Sequence, residues 1–321
     1  MSEPSAMDAE VEWRHVAPEF APTPIFIGVL TLAVDWVFEA EMRHILAPYT
    51  LLPANGTHPR CVLATARMPM PETCTPETLK TLADKMQGAA RSIFPFTDPE
   101  RSRIDALLFG CTTGSIAVGE DKVDALLSDV KQGAKVVQIV TSVREALRAL
   151  GAKRIAVLTP YIPSVNETVD TFLASIGVVP VARGYFGIDN DHELNRISSV
   201  RAAALDLVRS APSPAVDALF ISCTGLLAAS ITAELEQTLG VPVISSNVAT
   251  AWYLLDGLGL RASDEKQLAT SYGRLFLLPV PLPADLTAAQ CPAPSAEALE
   301  GVSTVADELN VKAPCKVQRR A

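Results

Sequence analysis

The 321-residue chain contains no uninterrupted apolar run of membrane-spanning length, so no segment reads as a transmembrane helix. Positive charge is short: 27 Lys and Arg stand against 36 Asp and Glu, a net charge of −9. No basic stripe offers a footprint for nucleic acid. The first twenty residues, MSEPSAMDAEVEWRHVAPEF, are acidic and lack the apolar centre of a signal peptide, so a cytoplasmic protein is expected. Without secretion the glycosylation patterns at Asn55 and Asn166 carry no meaning. The six cysteines show no close paired spacing and read as free thiols, and the four histidines have no zinc-like spacing. There is no P-loop, no G-x-S-x-G and no H-E-x-x-H. The lone G-x-G, Gly257-Leu258-Gly259, closes a helix instead of opening one, so it is no dinucleotide fingerprint. Nothing asks for a cofactor or a metal.

What the chain does have is a repeat. Asp105–Thr113 reads DALLFGCTT and Asp217–Gly225 reads DALFISCTG. Each copy is a short apolar run that ends in Cys-Thr. The surrounding pattern is also doubled. In the first half, strands are expected at Ile25–Thr31, Cys61–Ala66, Ala106–Phe109 and Val136–Val140. Helices are expected at Asp35–Leu46, Pro76–Arg91 and Val143–Leu150. In the second half, strands are expected at Arg154–Thr159, Val178–Ala182, Ala218–Ser222 and Val241–Ser245. Helices follow at Val165–Ile176, Leu194–Ser210, Ala228–Leu239 and Ala249–Leu255. The letters I-x-V-L-T recur at Ile27–Thr31 and Ile155–Thr159.

Alternating strands and helices argue for an α/β protein with parallel sheets covered on both faces. The doubling argues for two pseudo-symmetric, doubly wound domains with a cleft between them. The boundaries read as a flexible segment 1–22, a first domain 23–140, a second domain 152–248, a segment 249–280 that packs back on the first domain, and a loose Pro- and Ala-rich tail 283–321. With 49% apolar and 20% charged residues the chain can bury cores of that size.

Ligands of open α/β sheets bind beyond the carboxyl ends of the strands. Cys111 and Cys223 sit there at matching places, where following backbone N–H groups favour a thiolate. Alone, each reads equally well as a small buried hydrophobe; as a matched pair they read as chemistry. Two sulfurs across one cleft suit taking a proton from one face of a carbon and returning it to the other, or attack by one and protonation by the other. Cys61, Cys74, Cys291 and Cys315 lack this context and are assigned no role. Asp35 follows the first strand and either caps the next helix or faces the cleft. Tyr161 either donates to a substrate or packs over a Pro-bracketed turn. Asn190, in Asp189-Asn190-Asp191, reads from its letters as a helix cap. Ser245-Ser246-Asn247 closes a strand and either caps the next helix or holds a carboxylate. Thr112, Thr113, Ser115, Thr224 and Gly225 supply hydroxyl and backbone donors beside the thiols.

These residues resemble the aspartate/glutamate racemase superfamily over about residues 24–260. The resemblance is strongest to its maleate cis–trans isomerase and arylmalonate decarboxylase branch, and within it to the ectoine-utilisation protein A group. The segments that carry it are IGVLTLAVDWVFEAE (27–41), LFGCTTGS (108–115), AVLTPYIPSVNE (156–167), LFISCTGLL (219–227) and ELEQTLGVPVISSNVATAW (234–252). The resemblance implies cofactor-independent chemistry on a small carboxylate, with Cys111 as first-half thiolate, Cys223 as second-half acid, Tyr161 as active-site tyrosine and Asn190 as a substrate-binding asparagine. It also implies a homo-oligomer, a dimer or a dimer of dimers. The chain departs from maleate isomerases at Asp35, where they carry an asparagine that helps hold a carboxylate. A carboxylate there repels maleate and suits a substrate with an amino or amidinium group, such as an ectoine-type compound or its ring-opened diamino acid. The decarboxylases of the branch keep only the second-half cysteine. An isomerase or racemase is therefore expected. A decarboxylase using Cys223 alone, a maleate isomerase, or a non-catalytic metabolite sensor are the alternatives.

Overall fold

The computed structural model describes residues 22–51, 60–96, 101–211 and 216–281. The expected flexible N-terminal segment up to residue 21, the tail 283–321, Asn55, His15, His58, Cys291 and Cys315 lie outside the described residues.

The first half runs β1 (Ile25–Leu32), α1 (Trp36–Ile45), α2 (Ala47–Thr50), β2 (Cys61–Met68), α3 (Pro76–Lys80), α4 (Ala83–Arg91), β3 (Ala106–Gly110), α5 (Thr112–Val118), α6 (Glu120–Val130), β4 (Lys135–Gln138) and α7 (Ile139–Ala149). The second runs β5 (Arg154–Tyr161), α8 (Pro163–Ser175), β6 (Val179–Ile188), α9 (Asp191–Leu194), α10 (Val200–Arg209), β7 (Ala218–Ile221), α11 (Thr232–Leu239), β8 (Val243–Ser245) and α12 (Ser246–Gly257), and α13 (Glu265–Tyr272) follows. The strands form two parallel four-stranded sheets, in the orders β2-β1-β3-β4 and β6-β5-β7-β8. The sheets are thus the same topology twice, as the repeat implied. β3 and β7 are buried at every residue. That explains their unbroken apolar letters: both faces are covered, so no polar alternation survives.

The aspartate that opens each repeat has a structural task. In the first copy Asp105 Oδ2 accepts the Phe26 N–H at 2.8 Å, and the Asp105 N–H donates back to the Phe26 carbonyl at 2.8 Å. In the second, Asp217 Oδ2 accepts from the Arg154 N–H at 2.7 Å and returns its own N–H to the Arg154 carbonyl at 2.7 Å. Each pair pins the register of a central strand, Ile27 beside Ala106 and Ile155 beside Ala218. Register in turn decides where the cysteine six residues beyond each aspartate arrives.

Four segments differ from the sequence reading. The helix expected over Pro76–Arg91 is two, because the Thr78 and Thr81 hydroxyls bond to the Thr75 and Thr78 carbonyls and interrupt the ladder. The helix expected over Leu194–Ser210 begins only at Val200, because the Asn195 side chain takes the Asp191 carbonyl at 2.5 Å and turns the chain inward. Strand β6 extends six residues past its expected end. Helices α5 and α6 fill a stretch with no expected element, parted by Gly119 at φ 95°.

Strands β4 and β8 pass into α7 and α12 without a loop, and these two helices pack on each other. Helix α12 also meets α1, whereas α13 packs on α11. One apolar core runs through both halves, with Trp252 fully buried and its indole N–H donating to the Leu278 carbonyl at 2.8 Å. Among the described residues no helix is long and apolar enough to cross a membrane.

Candidate active site

Cys111 is the first residue after β3 and caps α5. Its sulfur accepts the Gly114 N–H at 3.2 Å and lies 3.9 Å from the Thr113 hydroxyl. A Cβ on Gly114 would stand 2.8 Å from that sulfur, so only glycine lets the N–H come so close. Cys223 lies two residues after β7. Its sulfur accepts the Gly225 N–H at 3.2 Å and a hydrogen bond from the Tyr161 hydroxyl. A Cβ on Gly225 would meet Asn195 Oδ1 at 2.7 Å. Both sulfurs line one narrow cavity of about 10 Å³.

Of the residues expected at the site, Asp35, Thr112, Thr113, Tyr161, Thr224 and Gly225 line this cavity with the two cysteines. Asp35 does both things the sequence offered as alternatives. Its Oδ1 caps α1 by accepting the Phe38 N–H at 2.9 Å, and its carboxylate lines the cavity with Thr224. Arg67, at the end of β2, holds the Asp35 loop by donating to the Ala33 and Asp35 carbonyls, each at 3.2 Å. Ser115, Ser245, Ser246 and Asn247 are not part of the cavity lining. Asn190 is the substrate-binding candidate that fails. It does not line the cavity; its Oδ1 caps α9 by accepting the Glu193 N–H at 3.0 Å. The asparagine that reaches the cavity is Asn195. Its Nδ2 donates to the Val34 and Asp191 carbonyls, and its Oδ1 is buried without a partner.

Two further groups were missed. Cys74, assigned no role from the sequence, lines the cavity and donates its thiol to Asp191 Oδ1 at 3.4 Å. Asp191 lines it too. Cys74 comes from the loop after β2 and Asp191 from the loop after β6, so they are topological counterparts. A reading that ended β6 at Ala182 had no reason to aim Asp191 or Asn195 at the cleft.

Among the described residues the charged groups lining the cavity are both carboxylates, Asp35 and Asp191, with no Lys, Arg or His. That sets the proton inventory. Burial raises the Asp35 carboxyl, opposed by the Phe38 N–H, the Thr224 hydroxyl and Arg67. Burial, aided by the charge of Asp35, lifts Asp191 to about 6. Burial and then the charge of Asp191 push Cys111 up to about 12, against the pull of the Gly114 N–H. The same two causes, in the same order, push Cys223 well above its ordinary value, against Tyr161 and the Gly225 N–H. Burial also raises Tyr161, which stays a neutral donor, and Cys74. With the cavity empty of positive charge, both thiols hold their protons. A cation against Asp35 and Asp191 removes the second cause and favours a thiolate. No group of three or more His, Cys, Asp or Glu among the described residues is arranged to hold a metal ion.

Known proteins resemble this chain. A protein-family model described as Arylmalonate decarboxylase matches residues 104–276, which include Cys111, Tyr161, Asp191, Asn195 and Cys223. An arylmalonate decarboxylase of Bordetella bronchiseptica is 37% identical over 136 residues, 42% of this chain and 55% of that protein. A maleate isomerase of Geobacillus stearothermophilus is 23% identical over 168 residues, 50% of this chain and 66% of that protein. The aligned regions thus span between about half and two thirds of these relatives. Among solved structures, a mutant of the Nocardia farcinica maleate cis-trans isomerase with a covalently bound succinylcysteine intermediate superposes with a TM-score of 0.63 at 23% identity, covering 74% of this chain and 94% of that one. That likeness establishes the fold.

Proposed function

Because the chain belongs to the arylmalonate decarboxylase family, a family of cysteine-based, cofactor-free enzymes, we propose that it is a cofactor-independent racemase or isomerase of a small carboxylate bearing a positively charged nitrogen. The observation that carries this reading is that Cys111 and Cys223, at equivalent strand ends of two equivalent sheets, line one cavity.

The nitrogen docks on the wall made by Asp35, Asp191 and the unpartnered Oδ1 of Asn195, which offers only acceptors. Its charge offsets the two carboxylates and lets one thiol ionise. That thiolate removes the proton on the carbon next to the substrate carboxylate. The opposing thiol returns a proton to the other face. Negative charge that develops on the substrate is met by the Tyr161 hydroxyl, the Thr113 hydroxyl and the bound cation. An addition route uses the same atoms. One sulfur bonds to an unsaturated carbon and the other protonates its neighbour, as the succinylcysteine of the Nocardia enzyme suggests for a relative. A dianion such as maleate gains nothing here, since Asp35 and Asp191 repel it in a dry site. An amidinium carboxylate of the ectoine type, or its ring-opened diamino acid, fits the charges of this wall.

The test is proton exchange. The protein is incubated in D₂O with small amino acids and ectoine-type compounds, and deuterium at the carbon next to the carboxylate is followed by NMR. Cys111→Ser and Cys223→Ser should each abolish inversion. Full activity in either variant rejects the paired-thiol mechanism.

A decarboxylase is the second reading, favoured by the 37% identity to the Bordetella enzyme. It uses Cys223 as the only proton donor. Carbon dioxide release that survives Cys111→Gly would select it.

A further inference from the structure

Glu41, on α1 of the first half, is 5% exposed, and no Lys, Arg or His among the described residues pairs with it. A buried carboxylate without a cation is costly unless donors surround it. Here they do. Oε1 accepts the Ala228 and Ala229 N–H groups, each at 2.8 Å, and Oε2 accepts Asn247 Nδ2 at 2.7 Å. All three donors belong to the second half. Ala228 and Ala229 close the loop that begins at Cys223. The same Nδ2 of Asn247 donates to the Thr224 carbonyl at 2.9 Å, and Thr224 lines the cavity with Asp35. A chain of bonds therefore runs from Glu41 through Asn247 to Thr224, the residue next to the second thiol.

We propose that Glu41 is a positioning residue of the active site, and that it must be a carboxylate to hold the Cys223 loop in place. The polarity of its partners is the reason. Every neighbour is a donor, so the ionised form satisfies them all. A proton on Oε2 would face the Asn247 N–H. To be donated it needs Asn247 turned so that its buried, unbonded Oδ1 faces Glu41, and that turn withdraws the N–H from the Thr224 carbonyl. Protonation therefore exchanges one bonded arrangement for another with the loop released. The groups facing Glu41 are Asp35 at the start of its helix and Tyr272 on α13; His44, one turn along, is exposed and stacks edge-on against Tyr272. Burial first, and then the charge of Asp35, carry the Glu41 carboxyl to about 7, against its three donors. A cation bound at Asp35 shifts Glu41 toward the carboxylate, so ligand binding and loop fixing reinforce each other.

This role rests on the reading of Cys223 as a reacting thiol, but its test needs no substrate. The full chain is labelled with iodoacetamide between pH 6 and 9, and the rates at Cys223 and Cys111 are read by peptide mass spectrometry. Both thiols keep their protons across this range, and Asp191 faces both, so their common titration cancels in the ratio. The Cys223-to-Cys111 ratio should rise roughly 5-fold from pH 8.5 to pH 6 as the loop is released. In Glu41→Gln, which sets an amide against the Asn247 N–H, the ratio should be high and flat with pH. Glu41→Asp, which keeps the charge, should retain the pH step. A flat ratio in the wild-type protein overturns the proposal, and this holds even if Glu41→Gln fails to fold. Racemisation that survives Cys223→Ser would instead sink the paired-thiol reading and leave the labelling result intact.

Discussion

The Cys74 thiol donates to Asp191 across the cleft, 3.4 Å from sulfur to Oδ1, and the Cys74 N–H donates to the Asp189 carbonyl at 2.6 Å. These bonds join the loops that leave β2 and β6, the same edge strand of each sheet. Asp191 is thus held over both reactive sulfurs without a cation of its own, and its charge is the leading electrostatic reason that Cys111 and Cys223 stay protonated.

Replacing Asp191 with asparagine should therefore make both thiols more reactive while making the enzyme worse. The negative charge that disfavours a thiolate is gone, so iodoacetamide labelling of Cys111 and Cys223 at pH 8 should speed up roughly 5-fold. On the proposed reading the substrate nitrogen loses a partner, so KM should rise. Unchanged labelling would show that Asp191 does not govern the sulfurs.

Stability should fall as pH rises through neutrality. Asp191 moves from an ordinary 3.8 to about 6 and Glu41 from 4.5 to about 7 in the folded chain. A carboxyl with a raised folded pKa binds its proton more tightly when folded. Its contribution is full below the unfolded pKa and is lost as pH climbs through the folded one. The window is about pH 4 to 7, and the loss is on the order of 1–3 kcal/mol per group, since burial relaxes on ionisation. Tm by scanning calorimetry should be higher at pH 5 than at pH 8. Asp191→Asn and Glu41→Gln should each flatten that slope. A Tm that rises from pH 5 to pH 8 contradicts the assignment.

Gly114→Ala should disable Cys111 without unfolding the protein. The added methyl stands 2.8 Å from the Cys111 sulfur and 2.9 Å from Leu82 Cδ1, so one of them must move. Overpacking of this kind costs about 1–3 kcal/mol of stability. A displaced reacting atom costs about 10²-fold in turnover. A variant with normal kcat would mean that the Gly114 contact does not place the sulfur.

The fold was legible because the chain states it twice. The Asp-Ala-Leu openings and the Cys-Thr endings fix corresponding strands, and both halves obey them. Asp35, Tyr161 and Thr224 were legible for the same reason, since strand ends in such sheets point at the ligand. Asn195 and Asp191 were not. Strand β6 carries Arg183, Gly184 and Gly187, which break an apolar strand pattern, so its true end at Ile188 gave no signal. Asn190 drew attention by its letters, yet a side chain that bonds three residues ahead does so in any cap. Glu41 looks in the sequence like any polar residue on an amphipathic helix. Its burial comes from Asn247 and the 228–229 loop, which are about two hundred positions away and meet it only when both halves assemble.

The direct passage from β4 into α7 and from β8 into α12 leaves no slack along the edge where these helices pack. That edge acts as a spine. At the opposite sheet edges the two halves meet through a few bonds, where Cys74 joins Asp189 and Asp191 and where Asn195 reaches Val34. The sulfurs are thus framed by helix packing on one side and by single hydrogen bonds on the other.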